Sequence, residues 1–277
     1  MTYASIITHV QSEAEAAPRL ACAAALARRF GARLIGLGAE MIPPLAFDNG
    51  FYSVDAEWVT SMRQTIEEQL VAAHEAFKRE TAGVADADKA WLSGIDSPTP
   101  TLAAASRAAD LIVIGGGPRR QQGPYRDVNP AELTIQAGRP VLVVPANAKP
   151  LSAGKIVLAW KDTREARRAL SDAMPFLEAS EGVLVVEVCE SENAEDAQIR
   201  TGDVVEALSR RGAKAEAKVI APGHEPPGVR LLDAATAFGA DLIVLGCYGH
   251  SRLGEWVFGG VTRDVLAQDD IYLLLSH

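Results

Sequence analysis

The sequence predicts an α/β protein of two successive domains, each a five-stranded, mainly parallel sheet flanked by helices. Three observations predict it. Short apolar, β-branched runs alternate with helix-length segments along the whole chain, the pattern of parallel strands joined by right-handed crossovers. This order of elements runs through once before Pro145 and begins again at Lys155. One stretch occurs almost unchanged in both passes, as Ala109-Asp110-Leu111-Ile112-Val113-Ile114-Gly115 and Ala240-Asp241-Leu242-Ile243-Val244-Leu245-Gly246. The 277 residues allow two domains of about 140, each large enough for a core without disulfides or metal. The expected N-terminal domain covers residues 1–147 and the C-terminal domain residues 153–277, with Pro150, Ser152 and Gly154 marking the linker.

In the first pass, Ser5 to Thr8 reads as a strand, followed by an Ala-rich helix to Phe30 that Gly31 terminates. Arg33 to Leu37 is the second strand. From Met41 to Thr60 the period is lost, with Pro43-Pro44 and Asn49-Gly50 as punctuation and Phe47, Phe51, Tyr52 and Trp58 in or beside the loop. A helix of about Asp55 to Glu80 carries the apolar stripe Trp58, Met62, Ile66, Leu70 and Phe77. Ala90 to Leu92, Asp110 to Ile114 and Val141 to Val144 complete the strands, with helices near Thr101 to Ala108 and Asn129 to Ala137. In the second pass the strands are Lys155 to Trp160, Gly182 to Val188, Lys214 to Ile220, Asp241 to Leu245 and Ile271 to Leu275. The helices are Arg164 to Leu177, Asp196 to Arg211, Val229 to Phe238 and one from about Val261.

Composition narrows the function. A net charge of −9 without a basic stripe opposes nucleic-acid binding. No run approaches the ~18–20 apolar residues needed to cross a bilayer, and Met1 to Val10 lacks the features of a signal peptide, so the expected compartment is the cytoplasm. Cys22, Cys189 and Cys247 form neither a metal pattern nor a disulfide framework. There is no G-x-S-x-G elbow, H-E-x-x-H, Walker loop or G-x-G-x-x-G after a first strand. No catalytic set is expected, slow ATP hydrolysis aside.

The stretch after Leu245 is the richest in chemistry. Gly246 and Gly249 follow the strand, and Gly259-Gly260 stand before the helix at Val261. Glycine lets a backbone approach a ligand closely, and the free N–H groups of a helix start attract anions. The spacing Gly246-x2-Gly249-x9-Gly259 resembles the ATP-binding pattern of the universal stress protein family, as do Tyr248-Gly249-His250-Ser251-Arg252-Leu253 and the strand order of both passes. The family normally places Ser or Thr after the third glycine; here Gly260 stands there, with Thr262 two residues on.

The resemblance implies an adenine nucleotide (ATP, ADP or AMP, with or without Mg) in the C-terminal half. Main-chain N–H groups of Gly246, Gly249, Gly259, Gly260 and Val261 would line the phosphates, with Thr262 Oγ in place of the missing Ser. Lys161, His250 or Arg252 would supply positive charge, though His250 also reads as an exposed loop residue. Ala159 and Val186 would wall the adenine. Lys161 occupies the place of an Asp that contacts adenosine in the family, and neighbouring Asp162 either replaces it or caps the helix starting near Arg164. In the first half Thr8, His9 and Val10 are set opposite this junction, with no acid, while Asp127 and Pro130 disfavour a phosphate. That half is expected to be structural. The family commonly dimerises through the last strand, so the halves are expected to pack as an intramolecular pseudo-dimer; homodimer formation and the protein partner stay open. The alternative is an interaction scaffold that binds no nucleotide and acts through its dimeric surface.

Overall fold

The computed structural model describes residues 2–13, 16–43, 56–116, 125–147, 149–189, 194–221, 223–247 and 260–277. They form a mixed α/β fold of mainly parallel strands flanked by helices, in two compact units. The first is built on Ala4–Ile114 and the helix preceding Gly138, the second on Gly138–His277. The division in space therefore falls before the last strand of the first sequence pass, while the sequence repeat falls after it.

In the first unit the strands β1 (Ser5–His9), β2 (Arg33–Glu40), β3 (Lys89–Ile95) and β4 (Leu111–Gly115) lie in the order β3-β2-β1-β4. All three pairings are parallel. The helices are α1 (Ala17–Phe30), α2 (Ala56–Glu80), α3 (Pro98–Ala105) and α4 (Pro130–Ala137). Helix α1 starts on a proline whose missing N–H costs nothing there. It ends as expected at Gly31, which takes the left-handed conformation (φ 63°) and returns its N–H to Ala27.

In the second unit β5 (Val141–Val144), β6 (Lys155–Ala159), β7 (Gly182–Val188), β8 (Ala215–Ile220), β9 (Leu242–Gly246) and β10 (Tyr272–Ser276) lie in the order β5-β10-β9-β6-β7-β8. Only β5 runs antiparallel, with Leu142 opposite Leu274 on β10. Helices α5 (Arg164–Leu177), α6 (Ala194–Ser209), α7 (Pro227–Phe238) and α8 (Gly260–Leu266) complete it. The order β8-β7-β6-β9 repeats β3-β2-β1-β4. Strands β4 and β9 are buried from their first residue almost to their last, as their unbroken apolar sequences require for strands covered on both faces.

Strands β2 and β3 run further than their apolar cores suggest. Trp91 on β3 lies over β2 with Phe77 of α2, the two rings 5.6 Å apart. A Cβ on Gly36 would stand 2.8 Å from the Phe77 ring and 2.9 Å from Trp91, so the absent side chains of β2 make room for the aromatics. Gly36→Ala is accordingly expected to lower stability by about 1–3 kcal/mol, read as a lower urea midpoint at unchanged slope.

Candidate functional site

The pairing registers align the two units residue by residue. Ile6 lies beside Leu34 and Leu111, and Ile156 beside Val183 and Leu242. His9 therefore corresponds to Ala159, Gln11 to Lys161 and Glu40 to Cys189. This shifts the sequence-based alignment, which sets Thr8, His9 and Val10 opposite the Lys161 junction. Apolar runs of unequal length leave the register open, and only the strand pairing closes it.

At the C-terminal ends of β1 and β2 in the first unit the space is filled by the unit's own side chains. His9 is buried and its Nε2 lies 3.1 Å from the carbonyl of Ala39, so that nitrogen carries the proton. Arg126 grips both oxygens of Glu40 at 3.0 Å and also pairs with Glu13. Gln11 donates to the carbonyl of Arg126 at 2.9 Å and accepts from buried Arg19 at 3.3 Å. Burial and the nearby Arg19 charge pull the His9 imidazole down to about 3, so it is neutral. Burial pulls the Arg19 guanidinium down to about 10 against the fields of Asp127 and Glu13, so it stays charged. The side chain of Asn129 caps α4 by accepting from Ala131 at 3.0 Å.

The corresponding end of the second unit carries smaller or outward-facing residues. Ala159 is half-buried, and Lys161 and Asp162 are exposed. Asp162 does not cap α5: Thr163 does, its hydroxyl accepting from Ala166 N at 3.3 Å. Thr163 has the extended backbone that turns its oxygen onto the first turn, while Asp162 pairs with Arg167 at 2.6 Å. Val186 is only 1% exposed, and its carbonyl accepts from Trp160 N at 2.8 Å. It is packed in the core of the sheet and presents no open wall.

Gly246 is half-buried, and a Cβ there would lie 2.4 Å from Ala166 N. The first turn of α5 thus rests on its main chain. Gly260 is exposed at the start of α8 with open space where a Cβ would stand, and Val261 is half-buried. Thr262 is 5% exposed. Cys247 is buried too, and burial pushes its thiol up to about 12. Gly249, His250, Arg252 and Gly259 lie outside the described residues.

Sequence reasoning missed Glu13, Arg19, Glu40 and Arg126, and also the buried Glu187, which Arg200 pairs at 2.5 Å. The available signal was a Glu at or next to the end of an otherwise apolar strand, Glu40 closing β2 and Glu187 one residue before the end of β7. Among the described residues no group of three or more His, Cys, Asp or Glu could hold a metal ion, and no helix is long and apolar enough to cross a membrane.

Two outcomes follow from this geometry. Gly246→Ala is expected to lower stability by about 1–3 kcal/mol, because α5 must move from β9; chemical denaturation checks it. His9 binds its proton more weakly folded than unfolded. As pH falls below about 6.5 the unfolded chain takes up the proton first, so this contribution is intact above pH 6.5 and is lost progressively down to about pH 3. His9→Gln is expected to remove up to roughly 5 kcal/mol of that pH dependence, measured by urea unfolding at a series of pH values.

A universal stress protein family model matches residues 153–275. No curated protein matches the sequence. Among solved structures, a universal stress protein from Archaeoglobus fulgidus DSM 4304 superposes with a TM-score of 0.67 at 14% identity, over 98% of this chain and 95% of that one. A functionally unknown protein from Pseudomonas aeruginosa PAO1 does so at 0.58 and 18% identity, over 99% of this chain and 92% of that one. At these identities the likeness is one of fold, extending over the first unit as well as the second. The universal stress protein family's own model thus matches residues 153–275, within the second unit, while over the first unit the likeness is one of fold alone.

Proposed function

We propose that this chain is a regulatory protein binding one adenine nucleotide, at the strand ends of its second unit. The carrying observation is the difference between two aligned positions. His9 fills the end of β1, whereas half-buried Ala159 ends β6 beside exposed Lys161. An imidazole closes one end and a methyl group leaves the other open, with a cation at its mouth to meet phosphate. Exposed Gly260, whose Cβ position is clear of the described residues, supports the same reading. Thr262 is 5% exposed, so phosphate contacts would fall mainly to main-chain amides and Lys161. A Mg ion, if bound, would be held mainly by the nucleotide. The pairing of β5 with β10 supports the expectation that the two sequence passes meet through their last strands.

The burial of Val186 and Thr262 favours the second reading, an interaction scaffold without nucleotide. Titration calorimetry with ATP and ADP separates the two. The nucleotide reading expects one site per chain, at least tenfold weaker binding in Lys161→Glu and loss of binding in Ala159→Phe, with His9→Gln unchanged. Absence of binding to the wild-type chain, together with no nucleotide released from freshly purified protein, leaves the scaffold.

A further inference from the structure

The polar cluster at the strand ends of the first unit has a geometry that plain space-filling does not require. Its segment 125–129 is held from three sides. Tyr125 accepts from Met41 N at 2.9 Å, Arg126 accepts from Gln11 at 2.9 Å, and Asn129 N donates to Thr99 Oγ1 at 2.9 Å. This anchoring aims the Arg126 guanidinium at Glu40, only 2% exposed in its side chain, and meets it through Nε and one terminal nitrogen, both at 3.0 Å. The fork-to-fork match is specific to a planar guanidinium; an ammonium has the charge but not the fork.

A second observation points to a further occupant. Arg19 is 8% exposed, and among the described residues its Nε has no hydrogen-bond partner; neither do the buried oxygens Glu13 Oε2 and Asp127 Oδ2. Both carboxylates are near enough for their charges to be felt at Arg19. One donor and two acceptors, each closed to solvent, remain unspent among the described residues. A molecule that accepts one hydrogen bond and donates two satisfies all three, and water is the smallest that does.

We propose that Glu40 and Glu13 form a guanidinium receptor filled in cis by Arg126, with one water buried between Arg19, Glu13 and Asp127, and that this assembly latches residues 125–129 over the strand ends of the first unit. The receptor takes a guanidinium cation and repels phosphate, since Glu13, Glu40 and Asp127 outnumber Arg19 and Arg126 while His9 is neutral. It stands independently of nucleotide binding, because its test is made without nucleotide.

The test is thermal unfolding of the full chain at pH 7. Arg126→Ala is expected to lower Tm by roughly 5–10 °C, and millimolar methylguanidinium to restore part of the loss while methylammonium at the same concentration does not. An unchanged Tm, no recovery with either cation, or equal recovery with both overturns the receptor. Should Arg126→Ala not fold, Arg126→Lys, Glu40→Gln and the double variant decide it. The double variant is expected to be no less stable than Glu40→Gln alone, and additive losses overturn the pairing. For the buried water, a crystal structure at high resolution is expected to show density within hydrogen-bond distance of Arg19 Nε, Glu13 Oε2 and Asp127 Oδ2; direct pairing of these atoms there overturns it.

Discussion

The structure depends on what happens where parallel strands end. A parallel sheet covered on both faces has no solvent side, so the edge formed by its C-terminal strand ends is where polar groups can gather and where ligands of such folds bind. Whatever stands on the first strand's last residue governs that edge. In the first unit His9 stands there with a buried cluster about it; in the second unit Ala159 stands there, and a smaller buried pair, Glu187 with Arg200, lies on the neighbouring strand β7. One backbone plan therefore carries different side chains at its two edges.

Closing the first end requires consistency over several elements. A buried neutral imidazole, two arginines and three carboxylates would each be costly alone. They coexist because β1 supplies His9, the β1–α1 turn supplies Gln11 and Glu13, α1 supplies Arg19, β2 supplies Glu40 and the approach to α4 supplies Arg126 and Asp127. In the second unit Gly260 opens α8, and Thr262 two residues on is 5% exposed. The glycine at the end of β9 has a packing duty as well as any ligand duty, since α5 lies directly on its main chain. Spacing of glycines alone does not separate these two duties.

Much of the fold was legible in the chain's own pattern. The apolar runs of β4, β5 and β9, the glycine after α1, and the repetition of Ala-Asp-Leu-Ile-Val carry local physics that needs no partner. Boundaries slipped where a distant group decided them, as at β2, which continues through Gly36 and Gly38 because Phe77 and Trp91 occupy the vacated volume. The sequence named a candidate site as a set of glycines with Lys161 and Asp162, and of these Gly246, Gly260, Lys161 and Asp162 are among the described residues. Individual roles were less legible: Thr163 rather than Asp162 caps α5.

The sequence by itself determined the alternation of elements and most of the apolar strands, because periodicity and propensity act over a few residues. Tertiary structure decided the register between the halves, the grouping of β5 with the second unit, and the fate of each polar side chain at the strand ends. Those depend on strand pairing and on charges far apart in the chain, as with Arg126 and Glu40, 86 positions apart, which no local pattern encodes.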